Sequence, residues 1–183
     1  MKIFVTGHSS GIGKATYDLL TEFNHTVYGG SRSNGWDVSD IQNYPDVLDC
    51  DVLINNAYHK TGQLELLKFV YDNWQGQNKI IINVGSAHKD YQINRPLARL
   101  NYNVTKKSLE TYSFWISEND NNCKSMMYNP GFVDTPLARF GMDDWPLEEQ
   151  QRVLSKAMDP TECAKTIMFM ILNKHTFKEV VHI

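Results

Sequence analysis

At 183 residues with 42% hydrophobic side chains, the chain can bury a core of its own, so one unit spanning 1–183 is expected without disulfides or metals. A formal charge of −3 with no basic run excludes a general attraction to nucleic acid. No apolar run approaches the ~18 residues of a membrane helix, and the first residues enter a strand pattern rather than a secretory leader. Three scattered cysteines, Cys50, Cys123 and Cys163, form no C-x-x-C pair and read as reduced core residues of a cytoplasmic protein.

Ile3, Phe4 and Val5 are an apolar run of β-formers, as a strand covered on both faces requires, and glycines begin where the run stops. Gly7 permits a sharp turn, Gly11 lets a pyrophosphate approach the backbone, and Gly13 lets the next helix pack on its strand. Free N–H groups and the positive end of the helix dipole meet at this turn, with Ile12 inside it and the Ser9 and Ser10 hydroxyls beside it, so it is the candidate anion site. The spacing departs from G-x-G-x-x-G, and a plain strand-to-helix turn accounts for two of the three glycines.

A second strand is expected over 25–30, with Arg32 just past its end. A very short third strand should precede 35–40, and 41–50 holds at most a short helix interrupted at Pro45. Strands follow at 51–55, running into Asn55-Asn56-Ala57, and at 79–84, ending at Gly85-Ser86. Between them Leu64, Leu67, Val70, Tyr71 and Trp74 have the spacing of an amphipathic helix. After a polar loop over 87–99, a long helix over 98–117 places Tyr102 and Lys106 on one face. A strand at 124–128 leads into a turn fixed by Pro130 and Gly131. In 137–158, Phe140, Met142 and Trp145 look exposed and suit either a lid over an apolar substrate or ordinary helix packing. Asp159-Pro160 starts another helix, and a strand over 179–183 closes the chain. Alternating strands and helices predict an α/β fold: a Rossmann-like, doubly wound parallel sheet of about seven strands, order 3-2-1-4-5-6-7, in three α/β/α layers.

TGHSSGIG at 6–13, NNA at 55–57, Tyr102-x-x-x-Lys106 and NPGFVDTP at 129–136 resemble the short-chain dehydrogenase/reductase family, in that family's order and over residues 1 to about 172. The resemblance implies an enzyme that transfers a hydride between a nicotinamide cofactor and a small alcohol or carbonyl substrate. It places Asp37 and Val38 beside the adenine, although Asp37 can instead serve only as a cap. It sets Asn56 and Ala57 beneath the cofactor, and Pro130, Gly131, Val133 and Thr135 as its nicotinamide-side clamp. Arg32 suits a 2′-phosphate, where an acid would hold ribose hydroxyls; this favours NADP over NAD, the alternative being a solvated loop residue.

The implied catalytic residues are Ser86, Tyr102 and Lys106. Tyr102 is the acid, Lys106 is expected to lower its pKa and to bond the nicotinamide ribose, and Ser86 holds the substrate oxygen. No metal is expected, since the six histidines show no ligand spacing; His8, His59 and His88 read as loop residues, two of them near the site mouth. A homodimer through the outer face of the long helix, with Leu109, Tyr112 and Phe114 or Trp115, is a family expectation. The chain departs from the family in several ways. Tyr58 stands where the family has glycine, Ser86 and Tyr102 lie further apart, and the glycine-rich tail has no match. No asparagine matches the proton relay, Asn73 being too near the next strand. These departures keep open a cofactor-sensing protein without chemistry; an epimerase or dehydratase on the same scaffold is opposed by the short substrate region.

Overall fold

Apolar side chains project from both faces of the strands, so the sheet has to be covered twice. The computed structural model describes residues 1–87, 97–143, 145–173 and 176–182. Strands β1 (Lys2–Thr6), β2 (Thr26–Gly30), β3 (Val52–Asn55), β4 (Ile80–Val84), β5 (Lys124–Asn129) and β6 (Glu179–Val181) form one parallel sheet in the order β2-β1-β3-β4-β5-β6. Helices α1 (Gly11–Glu22), α2 (Gly62–Trp74), α3 (Leu97–Asn119), α4 (Pro136–Phe140), α5 (Leu147–Leu154) and α6 (Pro160–Leu172) lie between the strands in sequence.

The strand period of two divides the core. Ile3, Val5, Val52, Ile54, Ile82, Val84 and Tyr128 share one cluster with Leu20 of α1 and Ile167 and Met170 of α6. Phe4, Leu53, Ile81 and Met127 share the other with Leu66, Val70 and Trp74 of α2 and Leu109 and Ile116 of α3. Layers of helix, sheet and helix result, as the alternation of elements predicts. Leu109 is therefore core, 1% exposed, and not part of the outer face of α3 expected from sequence; Leu100, Val104 and Trp115 are the exposed apolar side chains there. Cys50, Cys123 and Cys163 are free and buried.

The expected third strand does not form. Gly35 turns the chain at φ +82°, and the segment after it spends its apolar groups inward. Trp36 packs on Phe4 with ring centroids 5.4 Å apart and donates its indole N–H to the Asn43 carbonyl. Tyr44 donates its hydroxyl to the Val38 carbonyl, and Asp40 caps a 3-10 turn over Ile41–Val47 by accepting from the Gln42 N–H. Pro45 lies inside that turn. Side chains committed to one face and polar groups paired locally leave no extended edge to extend the sheet, so β2 is its outer strand.

Because every strand runs the same way, the loops after β1, β3, β4 and β5 gather at one edge of the sheet, where ligands bind in open α/β folds. Asp159 caps α6 by accepting from the Thr161 N–H, with Pro160 in the first turn, as the sequence predicts. Among the described residues no helix is long and apolar enough to cross a membrane.

Trp36 is the keystone of the segment that replaces the third strand, at 6% exposure and with its ring against Gly30. Trp36→Ala should cost about 3 kcal/mol or more in a chemical denaturation experiment. A loss below about 1 kcal/mol would show that the segment is held by its hydrogen bonds instead.

Candidate active site

The glycine turn has the shape its sequence demands. Gly7 and Gly11 have φ of +72° and +54°, and a Cβ on Gly13 would lie 2.2 Å from the Gly7 carbonyl oxygen. The Gly7 N–H donates to the Gly30 carbonyl at 2.7 Å, fixing the turn to the end of β2. Ser10, the N-cap of α1, makes no side-chain cap bond and no acid occupies the first turn. The first N–H groups of α1 therefore face outward with Ser9 and Ser10 exposed beside them, which suits an anion. The segment after β5 faces this turn, for a Cβ on Gly11 would come within 3.0 Å of the Thr135 methyl. A pyrophosphate group fits the glycine turn on these grounds. Thr135 caps α4 by accepting from the Ala138 N–H, and Val133, 6% exposed, is tied to Met158 by an isolated bridge.

Thr6 anchors the next loop. Its hydroxyl accepts from the Asn56 and Ala57 N–H groups, both at 2.8 Å, while the Asn56 side-chain amide donates to the Thr6 carbonyl at 3.0 Å. Asn55 turns inward, donating to the Gln63 carbonyl and to Asn83 Oδ1. The asparagines thus stitch strand ends together, as their sequence suggested.

Arg32 is exposed in a 3-10 turn directly after β2, and the Ser31 N–H is held by Asn34 Oδ1. Asp37 acts locally: its carboxylate accepts from the N–H and the hydroxyl of Ser39, and these bonds hold it below the usual carboxylate range. The Val38 side chain is core, 5% exposed. The His8 ring lies 5.3 Å from the Tyr17 ring, and its Nδ1 is buried without a partner. His59 is exposed, and His88 with residues 89–96 of the polar loop lies outside the described residues. Among the described residues no cluster of metal ligands occurs.

Ser86, Tyr102 and Lys106 meet at one place. A Cβ on Gly85 would sit 1.8 Å from Asn129 Oδ1, and that oxygen accepts the Ser86 N–H at 2.9 Å while Ala87 donates to the Pro130 carbonyl. Ser86 is thereby pinned, 8% exposed, and its hydroxyl is hydrogen-bonded to the Tyr102 phenol. The Tyr102 ring packs edge-on against Tyr58 at 4.9 Å, and Lys106 Nζ lies 5.3 Å and 5.7 Å from the Tyr58 and Tyr102 ring centres. Lys106 donates to Gln63 Oε1 and to the Val84 carbonyl, both at 2.8 Å.

The electrostatics differ from the sequence expectation in one respect. Burial raises the Tyr102 pKa, opposed by the Ser86 hydrogen bond, and Lys106 does not lower it. The reason is that burial acts on the amine as well, pushing Lys106 down to about 7. Gln63 and Asn129, which sequence reasoning missed, hold the catalytic candidates in place. Asn73 only donates to the carbonyl one turn back, at Phe69, as its position suggested.

A cavity of about 670 Å³ opens over this group, lined by Ile12, Asn56, Tyr58, Val84, Phe132, Val133, Leu137 and Trp145 among others. Lys106 is the one charged side chain in its described wall. Of the candidate lid residues, Phe140 is exposed, while Trp145 and Met142 line the cavity, Met142 at only 2% exposure and so packed rather than exposed.

No protein-family model matches the sequence, and no curated protein matches it. Solved structures do. The 3-alpha-hydroxysteroid dehydrogenase of a Pseudomonas species, complexed with NADH, is 19% identical with a TM-score of 0.78, over 99% of this chain and 94% of that one. Ligand-free aldohexose dehydrogenase of Thermoplasma acidophilum gives 17% and 0.78 over 98% and 92%. An F189W actinorhodin polyketide ketoreductase with NADPH gives 18% and 0.77 over 98% and 94%. At such identities the likeness is one of architecture, and on it the chain has the fold of the short-chain dehydrogenases and reductases.

Proposed function

We propose that the chain, a single unit over 1–183, is a cytoplasmic short-chain dehydrogenase/reductase that transfers a hydride between NADP and a small, uncharged alcohol or carbonyl compound. The observation that carries this reading is the meeting of Ser86, Tyr102 and Lys106 beneath one apolar cavity, beside a helix N-terminus left open for phosphate. The NADH and NADPH complexes among the structural neighbours support the same cofactor class.

The glycine turn with Ser9, Ser10 and Ile12 would hold the pyrophosphate, and Arg32 the 2′-phosphate. Asn56, Ala57, Pro130, Gly131, Val133 and Thr135 would line the rest of the cofactor's course, with Asp37 and Val38 towards the base. When bound, the cofactor supplies or takes the hydride. Ser86 holds the substrate oxygen through its hydroxyl, and Tyr102, kept protonated by burial, gives that oxygen its proton. Lys106, which lines the cavity with two of its donors already bonded, would offer the third N–H to a ribose hydroxyl of the cofactor. The apolar walls, with Trp145 and the exposed Leu137 among them, suit a neutral substrate and a closing lid.

The homodimer we propose would pair through the outer side of α2 and α3. Val104 and Trp115, 57% and 49% exposed, flank a groove of about 820 Å³ that also takes in Leu64 and Tyr112. Light scattering at micromolar concentration should give twice the chain mass, and Val104→Asp should return it to one.

Calorimetry should find NADPH bound more tightly than NADH, and Arg32→Ala should narrow the gap by about tenfold, the worth of one charge-assisted contact. Equal affinities in the unaltered protein would end the NADP assignment.

With small ketones and aldehydes screened by loss of reduced-cofactor absorbance, Tyr102→Phe should lower turnover roughly 100-fold to 10,000-fold and leave cofactor affinity nearly unchanged. Lys106→Met should weaken both together. Near-full turnover in Tyr102→Phe would remove the assigned acid and favour a protein that only senses the cofactor.

A further inference from the structure

Gln63 is 1% exposed in the first turn of α2, and the proposed chemistry gives it no task. Its orientation is not free. Nε2 donates to the Asn55 carbonyl at 2.6 Å and to the Val84 carbonyl at 3.0 Å, and carbonyls only accept, so Oε1 must face the other way, onto Lys106 Nζ at 2.8 Å. An ammonium has three donors. Gln63 Oε1 takes one and the Val84 carbonyl another, which leaves the last for the cavity that Lys106 lines.

Among the described residues the surroundings of that nitrogen are neutral. The titratable groups facing it are Tyr58 and Tyr102, whose phenols burial keeps protonated. Glu110, one turn further along α3, is engaged by Lys107 and by the Asn129 amide. Gln63 therefore occupies the place where a counter-ion would be expected for a buried lysine.

We propose that Gln63 is a positioning residue for Lys106: its amide oxygen aims the remaining N–H of the lysine into the cavity and, carrying no charge, leaves the amine able to gain and lose its proton there. This rests on the oxidoreductase reading for its purpose, while the geometry stands without it. Burial alone has moved Lys106 down to about 7, and an acceptor bonded to the ammonium works against that movement. Removing the acceptor should lower the titration further. Replacing it with a carboxylate should raise it.

The test is an NMR titration of the Lys106 side-chain 13Cε, assigned by its disappearance in Lys106→Met and run on the protein alone. The titration midpoint is expected to rise by at least about one pH unit in Gln63→Glu, as for an opposite charge brought within contact, and to fall in Gln63→Met. A carboxylate oxygen in place of Nε2 meets two carbonyls, so Gln63→Glu is also expected to melt earlier; Gln63→Met supplies an independent reading. A shift in the stated direction in either variant sustains the assignment. An unmoved midpoint in every folded variant overturns it, since a merely structural glutamine would change the melting temperature and nothing else. The pH at which turnover falls should move with the midpoint. If no carbonyl compound is turned over yet the midpoint shifts, the oxidoreductase reading fails and the Gln63 assignment stands.

Discussion

A lysine buried to 3% exposure, with no carboxylate beside it among the described residues, is the constraint around which the site is built. A desolvated ammonium is costly unless its protons are bonded, and Lys106 finds acceptors only because several elements converge on it. The Val84 carbonyl comes from the end of β4, Gln63 from the start of α2, and Lys106 itself from α3. Gln63 is held in turn by Asn55 at the end of β3. From Asn55 the bonding continues through Asn83 to Ser113 and Ser125, a polar seam within the sheet and beneath α3. The register of β3, β4 and β5 is thus tied to the position of one amine, and a slip of any strand would unpair the seam.

A second constraint fixes the serine. Asn129 ends β5, fills the space that a side chain on Gly85 would need, and accepts the Ser86 N–H. Its own amide is held by the Glu110 and Glu179 carboxylates, from α3 and β6. Ser86 is therefore placed by the packing of β4 against β5 rather than by its own loop. This is why a stretch as short as Gly85-Ser86 can present a hydroxyl to Tyr102 at a defined position.

Most of this architecture is legible in the chain because it depends on short periods. The apolar runs at 3–5, 52–54 and 80–84 and the helical spacing from Leu64 to Trp74 can only be satisfied by covered strands and packed helices. The segment 31–50 is the exception. Trp36 and Val38 are β-formers, but Gly35, Asp40 and Pro45 impose turns, and local capping prevails over propensity. In the site, the residues that face the cavity are legible, since motif spacing brings the glycine turn, Ser86, Tyr102 and Lys106 to one edge. Those that support them are not. Gln63 lies just ahead of the periodic run and reaches Lys106 across the sheet edge, and no local pattern signals such a contact. Tyr58 is visible as a departure from the family, but that its ring shields Lys106 depends on where α3 passes.

These buried groups also explain why the titration logic reverses between sequence and structure. Read as a spacing, Tyr102 and Lys106 form a pair in which a fixed cation would stabilise a phenolate. Packed beneath apolar walls, each group is pushed towards its neutral form: the phenol up, the amine down to about 7. Neutral forms suit a cavity whose described lining carries no other charge, because a charged substrate would have to shed its hydration with nothing to replace it. With burial having moved the amine down to about 7, the resting protein avoids the cost of keeping a permanent ion pair buried beneath those walls.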